Sequence, residues 1–293
     1  MSIAALRPSF PGSLRGEVVK LSRQLSFWLS LAGATLLLGV IVLAISGAES
    51  LKSMLLANPT QWAYDKLEVF GTVFQIGSGI FLLIFGARLL GMEYSSGTIR
   101  ILYARGTGRL QLLLAKLLTL AVVGAVLLAG FVLLVGAILG LMILTLSGSF
   151  DDVNRITNEF WADLGRWAVV QGISMGVALL IVAAATGIGR SLAFGIAAAL
   201  AYYPVDNFLN ILELLGIRAT GHDQPWMAIS QYQLSTNMNV LLGLLEPGHH
   251  ARPAFASPLA PVDSNHALAV IAVYALVFAA IAVVRTVRPD VLE

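Results

Sequence analysis

The fold is decided by residues 88–116, RLLGMEYSSGTIRILYARGTGRLQLLLAK. This polar island lies between two long apolar runs. It holds five of the chain's eighteen basic residues, Arg88, Arg100, Arg105, Arg109 and Lys116, against one acid, Glu93. Basic loops between membrane spans are retained on the cytoplasmic side during insertion, so this stretch orients everything around it. Its centre, residues 93–100, reads EYSSGTIR. Ser95 or Ser96 can cap a following helix, and Gly97 permits a turn that a Cβ resists. Thr98, Ile99, Arg100, Ile101, Leu102 and Tyr103 then offer a helix of about two turns, with Ile99, Leu102 and Tyr103 on its apolar face. Glu93, alone among bases, is expected to pair locally with Arg100 or Arg109.

Composition agrees with a membrane reading. Of 293 residues, 58% are apolar and 12% charged, against about 25% charged in soluble domains. The chain is therefore an all-α integral membrane protein. It has no cysteine, which excludes disulfides, thiolate metal sites and a cysteine nucleophile. Nucleic-acid binding is not expected, because the basic residues sit at span ends without an aromatic-rich polar surface beside them. Residues 1–24 lack the apolar segment of a cleavable signal, and the first apolar run already has full spanning length.

A span needs about 20 apolar residues, and six segments meet or approach that: 25–46, 69–87, 117–146, 167–187, 192–215 and 267–284. Twelve basic residues then fall inside (Arg7, Arg15, Lys20, Arg23, Arg88, Arg100, Arg105, Arg109, Lys116, Arg190, Arg285 and Arg288) and six outside (Lys52, Lys66, Arg155, Arg166, Arg218 and Arg252). Both termini are expected in the cytoplasm, in one transmembrane domain covering 1–293. Before the first span, 10–24 reads as an amphipathic helix on the cytoplasmic leaflet, with Leu14, Val18 and Leu21 on its apolar stripe. Gly136/Gly140 and Gly172/Gly176 have the small-xxx-small spacing that lets helices approach closely.

The fifth segment is interrupted by Pro204-Val205-Asp206-Asn207, where proline removes a backbone donor. Asp206, Asn210 and Glu213 then recur at i, i+4 and i+7, one stripe of a helix. The stripe either lines a water-filled vestibule, or Asp206 caps a broken helix; the residues alone leave both open. Residues 217–266 form the largest outer segment, with a surface helix expected over 226–245 and an irregular return over 246–265. It contains all four histidines, His222, His249, His250 and His266, but no spacing that fixes a metal site.

Residues 91–110 resemble the first cytoplasmic loop of permeases in the ABC type-2 exporter class, which includes bacitracin-resistance and copper-enzyme-maturation permeases. The matching positions are Glu93, Gly97-Thr98, the short helix from Ile99 to Tyr103, Arg109 and Lys116. A departure is Arg105-Gly106-Thr107-Gly108, where many members have a proline. The resemblance implies six transmembrane helices with an N-terminal interfacial helix, a cytoplasmic coupling helix between spans two and three, and a broken or re-entrant segment before span six. It implies a permease dimer, of identical or homologous chains, in the inner (plasma) membrane, working with two ABC ATPase subunits to export an amphiphilic substrate. Coupling would fall to Glu93, Gly97, Thr98, Ile99, Arg100, Leu102, Tyr103 and Arg109, and the pathway to Asp206, Asn210 and Glu213. No G-x-x-x-x-G-K-[ST] phosphate loop occurs in the sequence, so no cofactor is expected in this chain and ATP and Mg belong to the partner. Two other classes stay open at this stage: an intramembrane enzyme using Asp206 and Glu213 with the outer histidines, and a non-transporting sensor or immunity subunit linked to an ATPase.

Overall fold

The computed structural model describes residues 9–46, 50–246 and 255–288. These residues are helical with no strand among them. In order the helices are α1 (Phe10–Ser22), α2 (Leu25–Ser46), α3 (Ser50–Ala57), α4 (Pro59–Ser95), α5 (Thr98–Ala104), α6 (Arg109–Ser147), α7 (Asp151–Asn154), α8 (Asn158–Gly189), α9 (Leu192–Thr220), α10 (Gln224–Ser230), α11 (Leu234–Leu245) and α12 (Ser264–Val287). Among the described residues five helices, α4, α6, α8, α9 and α12, are long and apolar enough to cross a membrane. The helix α2, at 22 residues, has the length of a sixth.

The helices outrun the apolar segments that announce them. At 37 residues, α4 is roughly 55 Å long, against a hydrocarbon core of about 30 Å. Its polar ends, with Asp65, Lys66 and Glu68 at one and Arg88 and Glu93 at the other, continue the same backbone beyond the apolar stretch. At the centre stands α8, whose most apolar window is 61% buried, whereas that of α6 is 17% buried. Its Val177, Ala178, Ile181 and Val182 pack with Leu83, Ala87 and Leu90 of α4, Ala199 of α9, Leu241 of α11 and Ile271 of α12. Peripheral α2 leaves Leu25, Leu29 and Leu36 largely exposed, as a lipid-facing helix does.

Close helix approach occurs at glycines other than the spaced pairs. Around Gly136, Gly172 and Gly176 nothing lies within contact of a Cβ, and Gly140 meets only the Phe150 ring. By contrast Gly86 meets Val182, Gly91 meets the Leu192 backbone and Gly195 meets Thr186, each closer than a Cβ tolerates. Those three glycines bring α4, α8 and α9 together.

Two expectations about the second half are corrected. First, Pro204 does not interrupt the fifth span, since α9 runs unbroken from Leu192 to Thr220 with proline inside it. Asn207 Nδ2 donates to the Tyr203 carbonyl at 2.9 Å, and the stripe beyond is anchored to other elements. Second, 226–245 is no single surface helix. It breaks at Gln231–Gln233 into α10 and α11, and α11 sinks between α8, α9 and α12, with Leu234, Thr236, Asn237 and Leu241 fully buried. Its polar first turn tolerates burial because the turn itself supplies acceptors. Thr236 Oγ1 donates to Ser230 O at 3.1 Å, and Asn237 Nδ2 to Gln231 O and Gln233 O at 2.7 Å. This buried apolar helix precedes the last long helix, where a broken or re-entrant segment is expected. His249 and His250 lie outside the described residues. His222 Nδ1 contacts Thr220 O and His266 Nε2 contacts Gln231 O, and no group of three potential metal-ligating side chains forms among the described residues.

Candidate functional site

Among the described residues, those placed inside by charge converge on one end of the bundle, and Arg7 lies outside the described residues. Ser95 Oγ accepts from the Leu192 amide at 3.0 Å, and Arg109 donates to the Arg288 carbonyl at 2.9 Å. The other end gathers Thr60, Arg155 and Thr157, with Arg155 reaching the Leu56 carbonyl at 3.2 Å.

At the first end the amphipathic helix α1 starts at an N-cap, Ser9, whose side chain accepts from Gly12 N. Its buried positions are Glu17 and Leu21, while Val18 and Val19 are exposed, so of the Leu14/Val18/Leu21 stripe Leu21 packs on the bundle and Val18 points away from it. The inward face instead carries charge. Lys116 Nζ lies 2.9 Å from Glu17 and 3.0 Å from Glu93, and Lys20 Nζ lies 2.5 Å from Glu93 and 3.7 Å from Glu17. Two acids and two bases form a closed, neutral network joining α1, α4 and α6. Lys116 also donates to the Leu89 carbonyl at 2.8 Å. Burial alone would lower the Lys20 pKa, but its hydrogen bond to Glu93 and the charges of Glu17 and Glu93 outweigh that and hold the ammonium above its ordinary 10.5. Glu93 is thus spent on Lys20 and Lys116. The expected local pairing with Arg100 or Arg109 does not form, since α1 and α6 bring Lys20 and Lys116 onto Glu93 first.

On this base sits α5. Gly97 precedes it with φ +69°, a left-handed conformation suited to glycine, and no side chain caps its start. Ser96 Oγ bonds back to Met92 O at 2.8 Å, and Ser95 serves α9, so neither serine caps α5. Ile101 projects with 53% of its surface exposed. Tyr103 is half-covered: the Arg109 guanidinium lies 5.0 Å from its ring centre, and burial pushes its phenol up, with Tyr94 adding and Arg109 opposing. The most exposed apolar side chain of α5 is therefore Ile101, outside the face of Ile99, Leu102 and Tyr103 expected from the sequence.

The second constellation is the α9 stripe. Asp206, Asn210 and Glu213 are all buried, and each is hydrogen-bonded to the segment before α12. Asp206 Oδ2 accepts from the Ser235 amide at 2.6 Å, in the first turn of α11. Asn210 donates to Ser257 O at 3.2 Å, and Glu213 Oε1 accepts from Gln233 Nε2 at 2.6 Å. Asn239 adds bonds to Asn207 at 3.0 Å and to Ala256 O at 2.7 Å. Asp206 is a cap after all, but of α11 and not of its own helix. Gln233, Ser235 and Asn239 escaped the sequence reading because nothing in their spacing links them to α9. Asp206→Ala is expected to lose about 1 kcal/mol of stability, while Asp206→Asn keeps most of it, as the two side chains cap comparably. Thermal unfolding in detergent measures both, and equal midpoints for all three proteins would remove the capping role.

Long apolar helices, a short exposed helix on a charge-braced platform and a buried apolar helix before the last long one make this a multi-pass α-helical membrane protein. The chain belongs to the ABC-2 family of transporter proteins, whose family pattern matches residues 13–206, from α1 to the middle of α9. No curated protein matches it. It is accordingly a membrane permease component of an ABC transporter.

Proposed function

We propose that the chain is one permease half of an ATP-driven exporter, assembled with a second permease copy and two ATPase subunits, and that α5 is the helix that docks on the ATPase. Both termini are then cytoplasmic and the membrane is the inner (plasma) membrane. The observation that carries this reading is the placement of α5. A short helix with an exposed isoleucine stands between two long spans, at the end of the bundle where Lys20, Arg88, Arg105, Arg109 and Arg288 also collect. What supports docking is that this short helix lies inside the stretch matched by the ABC-2 family pattern, residues 13–206. The apolar walls of the spans favour an amphiphilic substrate, and Asp206, Asn210 and Glu213 act on transport through the re-entrant helix they hold.

Co-purification with an ATPase subunit and substrate-stimulated ATP turnover in liposomes test the reading. ATPase binding without stimulation by any amphiphile tried would favour a sensor or immunity subunit instead. The intramembrane-enzyme alternative has little support, because Asp206 and Glu213 are each committed to α11 while His222 and His266 face backbone carbonyls.

Orientation has its own test in a cysteine-free chain. Ser149 follows the far end of α6, and Ser257 is exposed beside Asn210 in the distal part of α9. Single cysteines at either position are expected to react with an impermeant thiol reagent added to intact cells, and one at Ser96 is not. Labelling at Ser96 alone would invert the topology.

A further inference from the structure

The pair formed by Glu213 and Gln233 is built from two planar groups that share one hydrogen bond, Gln233 Nε2 to Glu213 Oε1 at 2.6 Å. The remaining oxygen of each group, Glu213 Oε2 and Gln233 Oε1, is buried without a partner. Both residues are nearly inaccessible, at 3% and 4% exposure. A carboxylate and an amide carbonyl are both acceptors only, so an ionised Glu213 always leaves one of these oxygens unsatisfied, whichever way the amide is turned. One proton removes both defects. With Glu213 Oε2 protonated, its O–H donates to Gln233 Oε1 while Gln233 Nε2 donates back, closing a two-bond acid–amide ring.

The two acids of this stripe differ in their partners, which is why the proton belongs on Glu213. Asp206 lies on the same face of α9, two helical turns and about 10 Å earlier, too far to share a proton with Glu213. Asp206 accepts from the Ser235 amide at the start of α11, where the helix dipole favours negative charge. Glu213 has only a neutral amide. Glu213 is thus the acid of the stripe whose buried, unpartnered oxygen a proton would satisfy. Neither α10 nor α11 carries a titratable side chain, and His266, at the start of α12, turns its Nε2 to Gln231 O. On α4 and α8, Glu93 is engaged by Lys20 and Lys116, and Asp163 by Arg166 and Tyr64.

We propose that Glu213 is a proton-binding site, and that its acid–amide ring with Gln233 clamps the start of the re-entrant helix α11 onto α9. Loss of the proton sets a carboxylate against the Gln233 carbonyl, so the residue that leads into α11 is released while the Asp206 cap remains. The proton is the ligand, and the clamp is independent of transport direction.

Infrared spectroscopy of the purified protein in lipid reads the proton directly. At neutral pH the wild type is expected to show the carbonyl stretch of a buried protonated carboxyl. The band persists in Asp206→Asn and is lost in Glu213→Gln, a variant whose second amide can rebuild the ring and keep the fold. In Gln233→Leu the band remains but moves to higher frequency, because the acid has lost its partner. Hydrogen exchange of residues 234–245, corrected for the intrinsic rate, should lose protection as pH rises in the wild type and stay flat in Glu213→Gln. A band of equal intensity in wild type and Glu213→Gln, or one abolished by Asp206→Asn instead, overturns the assignment. If Glu213→Gln does not fold, an unshifted band in Gln233→Leu does so alone.

Discussion

Replacing Lys116 by methionine is expected to destabilise the protein by about 3–5 kcal/mol, the usual consequence of removing one partner from a buried ion pair. Lys116 is 3% exposed and bridges Glu17 and Glu93, themselves 6% exposed. Without it Lys20 faces two buried carboxylates, and the Leu89 carbonyl loses its second donor. Methionine fills a similar volume, so the loss reports charge and not a cavity. The measurement is the unfolding midpoint in detergent, with tryptophan fluorescence as the signal. Glu17→Gln added to Lys116→Met should recover part of the loss, because it restores one base for one acid. An unchanged midpoint in Lys116→Met would mean that water already solvates the network. The linkage to pH has a definite sign. Lys20 is held above its ordinary 10.5, so its contribution is fully present below that value and disappears only as pH rises through the higher folded value.

That network also shows how far the sequence could be read. The membrane class, the sets of residues at each end of the bundle and the short helix after Gly97 follow from apolar length, basic residues and turn chemistry, all properties of adjacent residues. Helix ends were harder, because apolar segments define the lipid-facing part while the backbone of α4 continues into water at both ends. The partners of Glu93 were out of reach, since Lys20 is 73 positions away and charge counting near Glu93 suggests arginines instead. The pattern of α1 gave no sign of its inward face for a related reason. Its buried face holds Glu17, which counts as polar until its lysine partner is known. The α11 sequence, LSTNMNVLLGLL, reads as surface for the same cause: Thr236 and Asn237 look solvent-seeking until the carbonyls of the preceding turn are seen to accept from them. Pro204 signalled a break that tertiary anchoring overrode. Glycine spacing picked out Gly136, Gly140, Gly172 and Gly176, whereas the packed glycines were set by what lay opposite them.

At the short helix α5, Ile101→Asp is expected to cut productive ATPase association about thirtyfold. An interface anchor is worth about 2 kcal/mol, and each 1.4 kcal/mol is roughly a factor of ten. Ile101 is chosen because it is 53% exposed and packs on little of its own chain, whereas Tyr103 is already stacked beneath Arg109 at 5.0 Å. Tyr103→Ala therefore acts indirectly, by loosening the exit from α5, and its effect on ATPase binding should be smaller than that of Ile101→Asp. Gly97→Pro belongs with the severe class. Proline fixes φ near −65°, and Gly97 sits at φ +69°, so the entry to α5 must refold. Membrane insertion and the unfolding midpoint should survive Ile101→Asp, since no other helix depends on that side chain. The competing possibility is that α5 rests on lipid headgroups. In that case Ile101→Asp would weaken the contact of α5 with vesicles while leaving ATPase co-purification and substrate-stimulated turnover intact, and the docking role assigned to α5 would fall. Loss of stimulation with unchanged dimerisation and insertion places the apolar tip of α5 in the ATPase, and a smaller loss in Tyr103→Ala identifies which side chain enters it.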